Sequence, residues 1–388
     1  MSDTLLVYAQ LLDWLRLHCR YRDFRHLIAL AWMVLGLIGS RRLCLCAWEA
    51  HVLSSAKAQS LQRRWRRFLS NSRVRVPDLY VSLLLETLQN RPQQRLHLAL
   101  DTTVLWNRFC MIHISLLCGG RAVPLVWKVL EHNSAAVAFE TYRDLLHSAR
   151  QVLQAFPDVM LLADRGFANR DLLQWLQRHS WHYCLRLPCD VAIHGPRRYP
   201  LEVRHLWPPR GEARLFEQVR LWQDGIYCSN LALAKVRGAQ EPWAVITDEV
   251  PSLQTFWQYG LRFSVEELFL DSKSGAFELE DSHLRSAEAL ERLYLVAAVA
   301  LLWGTCQGLA VQSAGWRHQV DPHWKRGLSY LKIGLAWIQG AVNKGRELLA
   351  PAALVAVDPE PCFASKKAKA KYDNQFLFSR VRFKHCHA

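Results

Sequence analysis

Tyr259, Arg262, Glu266 and Lys273 stand at successive spacings of three, four and seven. Wound as an α-helix, these positions fall within a stripe about 60° wide. One face then carries an aromatic hydroxyl, a guanidinium, a carboxylate and an ammonium. Such a carboxylate can hold a divalent cation while its cationic neighbours hold phosphate oxygens. The chemistry implied is phosphoryl transfer, provided further carboxylates reach the same face. The same pattern also reads as an amphipathic helix laced with surface ion pairs.

Two further acids qualify. Asp101 follows the apolar run Leu96-His97-Leu98-Ala99-Leu100, and Asp164 follows the run from Val159 to Ala163. An acid directly after an apolar strand is expected at the sheet's edge, pointing into a crevice, although turns favour acids there on their own account. If the two strands are neighbours, both carboxylates come within metal-bridging reach, with Glu266 approaching on a helix laid across the sheet. Three convergent carboxylates repel one another unless cations lie between them. Two ions about 3.5–4 Å apart are the common solution in phosphodiester chemistry. Oxygen-only ligation points to Mg2+, with Mn2+ as a substitute. No P-loop, G-x-S-x-G elbow or H-E-x-x-H motif competes.

The elements that must position these residues change character along the chain. Residues 1 to about 90 read as all-helical, and one helix carries Arg63, Arg64, Arg66 and Arg67 around Trp65. Between 62 and 75 there are six arginines and no acid. That face could lie along a DNA groove or be an ordinary exposed basic helix. From about 95 the pattern turns to strands, with Gly119-Gly120 as a hairpin signal. Helices are expected at about 137–154 and 169–179, around strands at 159–163 and 182–187. That order suits an α/β fold, a ribonuclease-H-like mixed sheet with helices on both faces, over residues 91–345. The stretch from about 188 to 240 reads as a β-rich insertion, and a long helix is expected at about 283–303. Residues 346–388, with Lys366, Lys367, Lys369 and Lys371, read as a basic, flexible tail.

Composition sets the partners. The 388 residues hold 49 Lys+Arg against 34 Asp+Glu, a net charge of +15, which suits a polyanion, either nucleic acid or an anionic membrane. Membrane insertion is not expected, because the longest apolar runs, 27–39 and 293–303, fall short of the ~20 residues a spanning helix needs. The N-terminus lacks a signal-peptide pattern. Eleven scattered cysteines without a Cys-x-x-Cys pair suit reduced thiols in the cytoplasm.

The spacing Tyr-x2-Arg-x3-Glu-x6-Lys at 259–273, with Asp164-Arg165-Gly166-Phe167 and Asp101-Thr102-Thr103, resembles the signature of DDE transposases of the IS-four type. The resemblance runs from about residue 55 to 340. It implies a DNA transposase that binds the inverted-repeat ends of an insertion sequence and pairs them in a homodimer. Such an enzyme cleaves the end phosphodiesters and joins the 3′-hydroxyls to target DNA. The resemblance implies Asp101, Asp164 and Glu266 as the catalytic, metal-holding triad, with Tyr259, Arg262 and Lys273 gripping the terminal phosphate. Arg165 is expected either to position the DNA backbone or to form a structural ion pair. Residues 1–90 become the end-binding domain, through Arg63, Arg64, Arg66 and Arg67. An aromatic of the insertion, with Trp207, Trp222 and Trp243 as candidates, would stack a flipped base. Two rivals are a nuclease of the same fold without strand transfer and a non-catalytic DNA-binding descendant.

Overall fold

Apolar side chains at helical spacing bury one side of each N-terminal helix: α1 (Asp3–His18), α2 (Phe24–Ser40), α3 (Ala58–Ser70) and α4 (Val76–Leu88). The structure, a computed structural model, describes residues 3–89, 94–194, 199–236, 239–265, 268, 277, 279–354, 363 and 365–385. Asp23 caps α2, its carboxylate accepting the Arg25 amide at 2.9 Å. Strand begins at Leu96, where the chain alternates and turns β-branched.

Strand β1 (Leu96–Leu105) does not stop at Asp101 as the apolar run suggests; Thr102, Thr103 and Val104 favour extended backbone and carry it on. With β2 (Phe109–Cys118) and β3 (Arg121–Glu131) it forms an antiparallel meander. Gly119 and Gly120 turn the second hairpin with φ of 57° and 71°, a conformation that costs glycine little. α5 (Phe139–Val152) then leads to β4 (Val159–Ala163), which is apolar and buried throughout, as a central parallel strand must be. α6 (Arg170–Arg178) leads on to β5 (His182–Arg186). β4 runs parallel to both β1 and β5.

The segment expected as a β-rich insertion is β-rich, but it extends the same sheet. β6 (Ala192–His194), β7 (Leu201–Glu202), β8 (Glu212–Leu221) and β9 (Tyr227–Ala234) connect through β10 (Trp243–Thr247), which pairs antiparallel with β5. Among the described residues eleven strands form one sheet in the order β3-β2-β1-β4-β5-β10-β9-β8-β6-β7, with β11 (Arg380–His385) parallel to β8.

That last strand corrects the expected flexible tail. Within residues 346–388 the described part contains α10 (Lys366–Asp373) and β11, after α7 (Leu253–Gly260), α8 (Ala287–Ser313) and α9 (Tyr330–Lys344) have formed the preceding helices. Phe376 is buried against Trp243, Phe256 and Trp257, and that apolar anchor outweighs the charge of the surrounding lysines.

The long helix expected at about 283–303 is α8, which runs on to Ser313 with Ser286 as its N-cap. By length and composition it could cross a membrane, contrary to the run-length estimate, yet its apolar window is entirely buried inside the protein. α2, α3 and α4 pack on it, and α1 packs on α9, so the N-terminal helices share one core with the sheet-bearing part. α8 and α9 approach closely at glycines. A Cβ on Gly308 would lie 1.8 Å from the Tyr330 carbonyl oxygen, and one on Gly334 would lie 1.8 Å from that of Gly304. Gly308→Ala should therefore force the pair apart, costing about 3 kcal/mol and lowering the melting temperature by roughly 5 °C. Thermal unfolding checks this, and an unchanged midpoint would mean that the contact yields.

Candidate active site

The register of β1 against β4 builds the site. Their ladder ends at Leu100 paired with Ala163, and Asp101 and Asp164 are the next residue on each strand. Neighbouring strands lie about 4.8 Å apart, so the two carboxylates are set side by side where the pairing stops. Asp101 is thus inside a strand, not at its end. On its other side it still pairs with His113 of β2, which holds its backbone. Asp164 has left the sheet and begins a single 3-10 turn, Arg165–Phe167.

The donors come from the end of α7. Ser252 caps this helix, its hydroxyl accepting the Gln254 amide at 3.1 Å while Thr255 answers with its own hydroxyl. Tyr259 lies in the last turn, after which the backbone tightens into a 3-10 turn over Leu261–Phe263. A uniform helix was the basis for expecting one stripe; the change of pitch corrects that picture. Residues three apart eclipse on a 3-10 turn, so Tyr259 and Arg262 still point the same way. Arg262 Nη1 donates to Asp101 Oδ2 at 2.9 Å, and Tyr259 Oη donates to Asp164 Oδ1 at 3.3 Å. The Thr102 amide adds a 2.8 Å bond to Asp101 Oδ1.

Both donors are buried. Tyr259 is closed in by Trp243, whose ring meets it edge-on at 5.0 Å, and by Phe263. Loss of water pushes the Tyr259 phenol up to about 12, so it stays a proton donor at any ordinary pH. Burial opposes the charge on Arg262, but Tyr259 and the two carboxylates outweigh it and raise its pKa above the usual guanidinium value. Its guanidinium also lies over the Phe263 ring at 5.1 Å.

Two more residues belong here that the sequence reading did not single out. Arg186, at the end of β5, has Nη1 4.0 Å from Asp164 Oδ1, and its Nη2 donates to Glu241 Oε2 at 2.8 Å. The same Glu241 oxygen accepts Arg165 Nη1 at 3.0 Å. Arg165 therefore stands in an ion pair beside Asp164. The rule that found the acids, a polar residue ending an apolar strand, also selects Arg186.

Glu266 and Lys273 lie outside the described residues. Val265 and Leu268, on either side of Glu266 in the sequence, are buried. Arg63, Arg64, Arg66 and Arg67 are exposed on α3, while Leu61, Trp65, Phe68 and Leu69 face the core. Of the candidate tryptophans, Trp243 is buried as the wall behind Tyr259, and Trp207 and Trp222 are half-buried. Asp101 and Asp164 offer hard oxygen donors, a donor set that fits Mg2+ or Mn2+. Among the described residues, no group of three or more His, Cys, Asp or Glu side chains is placed to hold a metal ion.

A sequence profile of the transposase DDE domain matches residues 99–303, a span that includes Asp101, Asp164 and the whole of 259–273. No curated protein matches the chain. Among solved structures it is similar to the piggyBac transposase synaptic complex with hairpin DNA, at a TM-score of 0.42 and 10% identity, covering 89% of this chain and 82% of that one. It is also similar to Marinitoga piezophila Argonaute in complex with 5′ OH guide RNA and target DNA, at a TM-score of 0.22 and 10% identity, covering 62% of this chain and 34% of that one.

Two outcomes follow from the geometry. Arg262→Met should leave Asp101 without its buried cation and cost about 3 kcal/mol of stability, part of which Asp101→Asn restores in the double variant. Strictly additive losses in a denaturation cycle would contradict the pairing. The raised Tyr259 pKa means that its burial favours folding fully below pH 10, and that contribution is lost as pH rises through about 12. Tyr259→Phe should therefore flatten the alkaline fall in melting temperature over that window.

Proposed function

The chain belongs to the transposase DDE domain family, and from that premise we propose a DNA transposase of the IS-four type built on a ribonuclease-H-like core. The order β3-β2-β1-β4-β5, antiparallel through the first three strands and parallel through the rest, supports that reading of the core. The observation that carries the proposal is the pair of carboxylates at the end of the β1–β4 ladder, each receiving a donor from the Tyr259–Arg262 segment.

Asp101, Asp164 and Glu266 would hold Mg2+ or Mn2+, which supplies Lewis acidity at the scissile phosphate and activates the attacking hydroxyl. The remaining roles fall to the chain's own groups. Arg262, Arg186 and Lys273 bind the non-bridging oxygens of the phosphate beside the cut and line it up with the attacking oxygen. Tyr259 keeps Asp164 oriented by donating its proton without giving it up. Arg165 takes a neighbouring phosphate in exchange for Glu241. Hydrolysis at the element's end frees a 3′-hydroxyl, whose oxygen then forms a new bond to a target phosphorus as the target's own 3′ oxygen leaves.

Recognition is a separate task. The exposed arginines at 63, 64, 66 and 67 bind the inverted-repeat ends, and two copies of the chain pair those ends in one synaptic complex. The protein acts on DNA in the bacterial cytoplasm, at the nucleoid. Its net charge of +15 favours that encounter through release of condensed counterions.

Purified protein mixed with DNA that carries the flanking inverted repeats provides the test. With Mg2+ present, end cleavage and joined products are expected. Asp101→Asn, Asp164→Asn or Glu266→Gln should each cut the rate on the order of a thousandfold, the equivalent of about 4 kcal/mol, while leaving end binding in place. Undiminished cleavage in any of the three would overturn the mechanism, and cleavage without joining would favour the nuclease.

A further inference from the structure

Between Glu291 and Glu347 the chain contains one carboxylate, Asp321, among seven lysines and arginines. Asp321 lies in the connection from α8 to α9 and is wholly buried. Its Oδ2 accepts Arg317 Nη1 at 3.1 Å and the Gly327 amide at 2.9 Å, and its Oδ1 lies 2.6 Å from His323 Nδ1. Burial alone would push this carboxyl up; those donors bring it down to about 2, so it stays ionised. Arg317, also buried, reaches through to the carbonyl oxygens of His323 at 2.9 Å and Trp324 at 3.0 Å. A Cβ at Gly327 would run into the His323 ring, 2.3 Å away. On the far side, Arg326 lies over the Tyr330 ring at 4.2 Å and donates to the Leu328 carbonyl at 2.9 Å.

All of this fixes the backbone around a side chain that touches little. Trp324 is 91% exposed. Lys325, His318 and Lys332 are exposed with it, and the His323 side chain is 58% exposed. The loop's own carboxylate, Asp321, is sealed beneath them. A buried ion pair is poor evidence of added stability but a good way to hold one geometry. A rigid, solvent-facing indole beside a lysine, on a loop whose own carboxylate is buried, complements a ligand that has a flat π face and a negative charge close together.

We propose that the 316–327 loop is a second nucleic-acid contact, in which Trp324 stacks on an unpaired or unstacked base and Lys325 binds the adjacent phosphate. The proposal rests on DNA being the substrate and adds a contact outside the carboxylate site. Stacking tolerates any base, so the loop serves unpaired strand next to a cut better than it serves sequence recognition.

Binding of fluorescein-labelled DNA to the full chain tests it, with a duplex bearing a single-stranded overhang and a fully paired duplex compared at each concentration of a salt series. Trp324→Ala should weaken binding of the overhang duplex about tenfold and that of the paired duplex much less, and Trp324→Phe should recover most of the loss. Lys325→Ala should lower the slope of log affinity against log salt by about 0.7. Wild-type affinity in Trp324→Ala would overturn the proposal even where end cleavage proceeds normally, leaving the catalytic reading intact. So would a change in oligomeric mass, or in binding to anionic lipid vesicles, with DNA affinity unaltered. A wild-type protein that binds neither DNA would overturn both readings.

Discussion

Two carboxylates set side by side at the end of a parallel ladder repel each other, and the rest of this fold is arranged around that repulsion. β4 stops at Ala163 while β1 continues to Leu105, and this difference in length puts Asp101 and Asp164 next to each other just past the last paired residues of the ladder. One side-chain hydrogen bond to each carboxylate comes from a single short segment, Tyr259 to Arg262, held by the capped α7 and by its change of pitch. Behind that segment stand Trp243, Phe256 and Phe263, with Phe376 closing the layer from the C-terminal side. A strand length, a helix cap and an aromatic wall thus converge on one electrostatic requirement.

Charge around the site is shared rather than simply positive. Arg165 and Arg186 meet on a single Glu241 oxygen, and Arg262 is engaged by Asp101. Such an arrangement holds the guanidinium groups in place, and their planar fork suits a carboxylate and a phosphate alike. Tyr259 contributes no charge, which is why its burial matters: a phenol kept protonated can steady a carboxylate without competing for a cation.

Much of this was legible in the sequence, for reasons that differ from residue to residue. Asp101 and Asp164 stood out because each follows an apolar run, although only Asp164 truly leaves its strand. The β-branched residues after Asp101 carried the information that β1 continues. Tyr259 and Arg262 were found by helical spacing, and the observed 3-10 turn brings them together by a different route that the same spacing permits. Arg186 and Glu241 were missed because their meeting depends on strands paired across distant sequence. For the same reason 188–240 looked like a separate insertion: its prolines and arginines are local, whereas the β5–β10 pairing is not. The C-terminal residues looked mobile because lysines dominate their composition, while the few aromatics that anchor them, Phe376 first, were outnumbered.

The proposed mechanism requires Asp101 and Asp164 to act together as a cation site. The most direct measurement is equilibrium binding of Mn2+ to the full chain without DNA, followed by the paramagnetic signal of the free ion. Binding to the wild type, lost in both Asp101→Asn and Asp164→Asn and retained in Glu241→Gln, is the expected result. Binding that survives either aspartate substitution unchanged would contradict the shared site.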